Sequence, residues 1–133
     1  MKSLLKVGLM LAIVAAVFAG CRSGTVYNVN NSPVEIGGSY TDDNIYKAIK
    51  KAGVGLGWII SKTGKGEAKG VLNVRSHQAV VKITYNKKDF SIHYVSSKNL
   101  NYNAEKNTIH SNYNGWIQNL ERAISVQLSM LEN

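Results

Sequence analysis

Three consecutive runs between Ala68 and Tyr94 alternate apolar and polar residues with a period of two, and this pattern limits the fold more than anything else in the chain. Ala68, Gly70, Leu72 and Val74 fall on one face of the first run. Ala79, Val81, Ile83 and Tyr85 do so in the second, and Phe90, Ile92 and Tyr94 in the third. Successive side chains of a strand point to opposite faces, so each run is a strand with one buried side. Asn86-Lys87-Lys88-Asp89 is a hairpin loop that pairs Tyr85 with Phe90 and Ile83 with Ile92, setting Lys82 beside His93 on the wet face. Arg75-Ser76-His77-Gln78 joins the earlier pair and sets Val74 opposite Ala79. Trp58 to Lys62 reads as a further strand, closed by the turn Thr63-Gly64-Lys65-Gly66. The expected sheet is an antiparallel meander of three to four strands, greasy on one side only.

Two amphipathic helices flank this sheet. Thr41 is an N-cap, Asp42 and Asp43 suit the positive end of the helix dipole, and Ile45, Ala48, Ile49 and Ala52 make one apolar stripe. Gly53, Gly55 and Gly57 are expected to stop that helix. The Gly-Val-Gly-Leu-Gly run is not a phosphate loop, because it follows a helix and lacks Gly-Lys-Ser/Thr. A second helix starts at Ser111 or Asn112, with Tyr113, Trp116, Ile117, Leu120, Ile124, Leu128 and Leu131 on one face. Between them, Asn103 to Asn107 is a turn joining two short extended pieces. Two such helices and a one-sided sheet bury their apolar surfaces together only as a two-layer α+β domain, both helices on the same face.

The chain begins with Lys2 and Lys6, an uncharged apolar run from Val7 to Ala19, and Phe18-Ala19-Gly20-Cys21. A membrane-spanning helix needs about 20 apolar residues. This run is shorter and ends in small residues, as the apolar centre of a secretory signal does. Cys21 is the single cysteine, so no disulfide forms within the chain. Its position directly after Ala-Gly resembles the lipobox of bacterial lipoproteins. That resemblance implies a diacylated thiol, cleavage before Cys21 and an acylated new N-terminus. In Gram-negative lipoproteins Asp after the cysteine tends to retain the protein in the inner membrane. Arg22 here implies the outer membrane, facing the periplasm.

The expected organisation is therefore a signal peptide at 1–20, a lipidated Cys21 with a flexible tether over 21–39, and one domain over 40–133. The tether reading rests on the Ser, Gly and Asn content of Arg22 to Ser39 and on Pro33, the only proline; Val34 and Ile36 are candidates for a short edge strand. Such a coil reaches about 25 Å. Sixteen basic and eight acidic residues give a net charge of +8; cleavage before Cys21 removes Lys2 and Lys6 and leaves +6. A basic balance favours anionic partners, but the lysines are scattered rather than blocked, and solubility is the preferred reading of them. An exported chain is not expected to meet nucleic acid.

The series Gly57-Trp58, His77-Gln78-Ala79-Val80-Val81, Ser91-Ile92-His93-Tyr94, Ser97-Lys98-Asn99-Leu100-Asn101-Tyr102 and Ile109-His110-Ser111-Asn112-Tyr113-Asn114-Gly115-Trp116 resembles a group of small proteobacterial lipoproteins of uncharacterised function. The resemblance implies the anchor and the domain, and no activity.

No metal or other cofactor is expected. His93 and His77 lie about 16 Å apart along a strand, too far to share a zinc ion, and Lys82 would repel one. Only His77 and His110 have a chance of meeting. They carry the alternative reading, a small metal-dependent or hydrolytic enzyme with Ser96 or Ser97 as nucleophile. The chain offers no Gly-x-Ser-x-Gly and no pair of carboxylates suited to glycan cleavage, so an enzyme is not the expectation. Arg75, His77, Lys98, Asn99, Asn101, Tyr102, His110 and Asn114 instead form a candidate recognition surface for an envelope protein or an anionic glycan. The competing reading is that they cap the last helix and tie down the loop before it.

Overall fold

The computed structural model describes residues 22–34, 36 and 38–132. In chain order they form β1 (Ser23–Thr25), β2 (Val29–Pro33), α1 (Asp42–Gly55), β3 (Trp58–Gly64), β4 (Glu67–Val74), β5 (His77–Tyr85), β6 (Asp89–Lys98), β7 (Thr108–His110) and α2 (Ser111–Ser129), closed by a 3-10 turn at Met130–Glu132. The proposed signal at 1–20 and Cys21 lie outside the described residues.

The period-two pattern produces the meander it requires. Strands β3 to β6 pair antiparallel in sequence, and β2 adds to the free edge of β6, giving the order β2-β6-β5-β4-β3. Tyr85 faces Phe90, Ile83 faces Ile92 and Lys82 faces His93. The β4–β5 connection differs from the sequence expectation: the turn is the two residues Arg75-Ser76, so Val74 faces His77 and Leu72 faces Ala79. The shift is two residues, an even number, so every side chain keeps its face. Arg75 takes the left-handed conformation at φ 56° that so tight a turn demands. A bulge opposite Val80/Val81 leaves Val95 unpaired and turned to solvent.

Both helices cover the apolar face. Ile45, Ala48, Ile49 and Ala52 of α1 join Tyr113, Ile117, Leu120, Ile124 and Leu128 of α2 in one core with Ile60, Leu72, Val81, Ile83, Phe90 and Ile92. The architecture is a two-layer α+β domain. Thr41 caps α1 reciprocally: its Oγ1 accepts the Asn44 amide at 3.1 Å, and Asn44 Oδ1 accepts the Thr41 amide at 3.0 Å. The helix ends within the glycine run, as expected, although not at its first glycine. It continues to Gly55, and Gly57 at φ 91° makes the turn. Gly53 instead lets the helix approach the sheet, since a Cβ there would lie 2.5 Å from Ile60 Cγ1.

The span 21–39 is not a tether over its described strands. β1 pairs with β7, and β2 with β6. Val26, Val29 and Val34 are buried in the common core, so the folded domain begins near Arg22 rather than at residue 40. Pro33 is tolerated because β2 is an edge strand. Val34 and Ile36, the expected edge pair, lie beyond its end.

This arrangement gives the domain two distinct ends. One carries the Arg75-Ser76 turn, the end of β6 at Lys98, the start of β3 at Trp58 and the start of α2 at Ser111. The other carries the Lys65-Gly66 turn, the β5–β6 turn and the start of α1, whose Asp42 and Asp43 sit close enough to raise the Tyr85 pKa, after the larger effect of burial and that of Tyr46. The segment from Arg22 to Pro33 runs beside α2 between them: the Ser111 amide donates to the Arg22 carbonyl at 3.0 Å, and Ser32 and Pro33 share a recess with Leu128 and Ser129.

Candidate interaction surface

Most of the recognition candidates converge on the first of these ends, where β6 runs into the loop before α2. Asn99 follows Lys98 in the left-handed region at φ 57°, and Asn101 does the same at 52°. Asparagine tolerates that conformation better than most residues. The Asn99 side chain donates from Nδ2 to the Ser76 carbonyl at 3.0 Å. Its own carbonyl lies 2.7 Å from His77 Nδ1. A carbonyl oxygen only accepts, so Nδ1 of His77 holds the proton. Leu100 is buried, and its carbonyl accepts the His110 amide at 2.8 Å.

His110 is the N-cap of α2. Its Nδ1 accepts the Asn112 amide at 3.1 Å, so this nitrogen carries no proton and His110 has the opposite tautomer to His77. Each histidine spends one ring nitrogen on a neighbouring backbone. Among the described residues no three His, Cys, Asp or Glu side chains come close enough to hold a metal ion. His93 pairs with Asn30 Oδ1 at 2.8 Å, on the far strand β2. Ser97 Oγ bonds the Tyr94 hydroxyl at 2.8 Å rather than a histidine.

Asn114 stands apart from the rest. Its amide faces the N-terminal segment, accepting the Tyr27 amide at 2.9 Å and donating to the Thr25 carbonyl at 2.8 Å. Tyr102 packs over Tyr94 with ring centroids 4.2 Å apart, and Tyr94 meets Tyr113 edge-on at 5.7 Å. Burial raises the pKa of the Tyr94 phenol, with the Ser97 hydrogen bond opposing and Tyr102 adding. Burial, with Tyr94 adding, drives that of Tyr113 far above its ordinary value, and among the described residues the Tyr113 hydroxyl has no hydrogen-bond partner.

The eight candidates thus divide by use. Asn99, His77, His110 and Asn114 spend polar atoms on holding the loop, the helix start and β1 in place. Arg75, Lys98, Asn101 and Tyr102 are exposed. Arg22, read earlier only as a sorting signal, lies at the same end through its bond to Ser111. Its partner is 89 positions away, and no local pattern marks it.

Comparison with family models, curated proteins and solved structures found no match to this chain.

Proposed function

We propose that the chain is a lipid-anchored bacterial envelope lipoprotein whose small domain serves as an interaction module on the periplasmic side of the outer membrane. The observation that carries this reading is the cationic start, short apolar run and Ala19-Gly20-Cys21 sequence, with an independently packed domain beginning almost immediately after it. Two or more acyl chains make a stable membrane anchor where one does not, so a triacylated Cys21 would hold the protein to its leaflet. The net charge of +6 after cleavage suits anionic partners, and the exposed Arg75 and Lys98 are available to them.

The test is metabolic labelling with palmitate in cells producing the full chain. The wild type is expected to incorporate label and fractionate with membranes, and Cys21→Ser to do neither. A mature wild type found in the soluble fraction with an unmodified thiol would remove the reading.

A further inference from the structure

We propose that the domain is held without a tether, with its Arg22/Arg75/Lys98 end set down on the anionic phospholipid headgroups of the leaflet that receives the Cys21 lipid. This rests on the lipoprotein reading above and names the surface that the candidate site faces.

The first ground is the length of chain between anchor and fold. Arg22 is fixed through its carbonyl to the first residue of α2, and Ser23 opens β1. Consecutive Cα atoms are about 3.8 Å apart, so a lipid on residue 21 starts within one residue of the folded surface. A coil of about 25 Å would let the domain turn freely, whereas one residue does not.

The second ground is charge. Arg22, Arg75 and Lys98 are exposed at this end, and among the described residues none has an ion-pair partner. Residues 22–25, 53–58, 74–78, 96–101 and 108–116, which build the end, contain no Asp or Glu. Glu105 and Lys106 sit together in the flanking turn and offset one another. The opposite end is mixed, with Asp42, Asp43, Glu67 and Asp89 among Lys65, Lys87 and Lys88. Clustered cations beside an anchor are drawn to anionic headgroups within a Debye length of the surface.

The third ground is apolar exposure. Val54 and Leu56, at the α1–β3 connection of the same end, are 59% and 43% exposed, and Tyr102 is 41% exposed on the loop that leaves Lys98. Aliphatic and tyrosine side chains beside cations suit the boundary between headgroups and acyl chains. On this placement Arg75, Lys98 and Tyr102 face lipid, and the outer sheet face and the opposite end face the periplasm.

The experiment uses the full lipidated chain in vesicles, with a fluorophore on one added cysteine at Ser76→Cys or Gly64→Cys and a quencher on the lipid headgroups. Acylation of Cys21 leaves the added thiol as the only free one. Eight strand steps of about 3.3 Å separate the two ends by roughly 26 Å, well beyond contact quenching. Strong quenching at residue 76 and little at 64 is expected in vesicles of phosphatidylcholine with phosphatidylglycerol. The difference is expected to shrink in phosphatidylcholine alone and with Arg75→Glu/Lys98→Glu. Equal quenching at both positions of an acylated protein overturns the orientation while leaving the anchor intact. A 76-to-64 difference that ignores both lipid charge and the double substitution overturns the anionic-headgroup assignment. Protein whose mass shows no acyl group on Cys21, and which stays off vesicles, overturns the anchor and this inference with it.

Discussion

Asn114 closes its side-chain amide on the backbone of the segment that contains Tyr27: Oδ1 accepts the Tyr27 amide at 2.9 Å while Nδ2 donates to the Thr25 carbonyl at 2.8 Å. Eighty-seven positions separate the two residues. The contact satisfies the carbonyl of Thr25, the last residue of β1, and the amide of Tyr27, which lies between β1 and β2. The Tyr27 hydroxyl extends the seam, donating to Glu121 Oε1 at 2.9 Å.

Asn114→Ala is accordingly expected to cost about 1–3 kcal/mol, the usual effect of stranding partly buried backbone groups. Asn114→Asp should lie between, because a carboxylate still accepts from Tyr27 but cannot donate to Thr25. Urea denaturation measures the loss, and limited proteolysis should show earlier cleavage within residues 23–28. An unchanged midpoint for Asn114→Ala would mean that the N-terminal segment contributes little to the fold.

Gly53 and Gly55 lie two residues apart in α1 and should respond in opposite directions. A Cβ at Gly53 would meet Ile60, whereas one at Gly55 meets nothing within 4 Å. Overpacking costs about 1–3 kcal/mol, more than the roughly 1 kcal/mol that alanine gains over glycine in a helix. Gly53→Ala should therefore lower the melting temperature. Gly55→Ala should raise stability by about 0.4–1 kcal/mol. Equal responses would show that α1 sits farther from β3 than the Gly53–Ile60 approach implies.

The unpartnered hydroxyl of Tyr113 gives a pH prediction. Burial, chiefly, raises its pKa in the folded state, and burial raises those of Tyr85 and Tyr94 as well. A folded pKa above the unfolded one contributes stability that is complete below the unfolded value, about 10 for tyrosine, and is lost as the pH climbs past it. Stability should begin to fall at about pH 10 and go on falling as the pH rises further. Tyr113→Phe should leave stability at neutral pH within about 1 kcal/mol of the wild type, since no hydrogen bond is lost, and should soften the alkaline loss. Denaturant midpoints for the two proteins at several pH values decide this. A phenylalanine variant as alkali-sensitive as the wild type would place the effect on the other tyrosines.

Asn99 separates a structural role from a recognition role. Asn99→Gly keeps the φ of 57° and loses the bond to Ser76, while Asn99→Ala loses both. The alanine variant should be the less stable by about 1 kcal/mol, the cost of a left-handed conformation for a residue with a Cβ. Identical melting of the two variants would show that the loop relaxes when the Ser76 contact goes.

Much of this domain was written into local pattern. Period-two runs placed β4, β5 and β6 and their inward faces, and the Tyr85–Phe90 register followed from one polar loop. Thr41 and the stripe from Ile45 to Ala52 placed α1, and the spacing from Tyr113 to Leu128 placed α2. These features need only neighbours a few residues away. Of the candidate surface, most residues gather at one end of the sheet while the Asn114 amide faces the N-terminal segment, and the sequence did not separate those that hold the loop from those that face solvent. That division depends on which carbonyl each side chain meets.

What only the tertiary structure decided is the fate of residues 22–34. Their composition is that of a coil, and Asn31 at φ 55° interrupts any alternation. Val26 and Val29 nevertheless pack into the core, because β6, β7 and α2 offer partners 60 to 90 positions away. Strand pairing at an edge is set by the partner's free backbone groups and a shared apolar face, and neither is encoded near the strand itself. The sequence by itself determined the layers; long-range pairing decided that the fold takes in the segment from Arg22 onward.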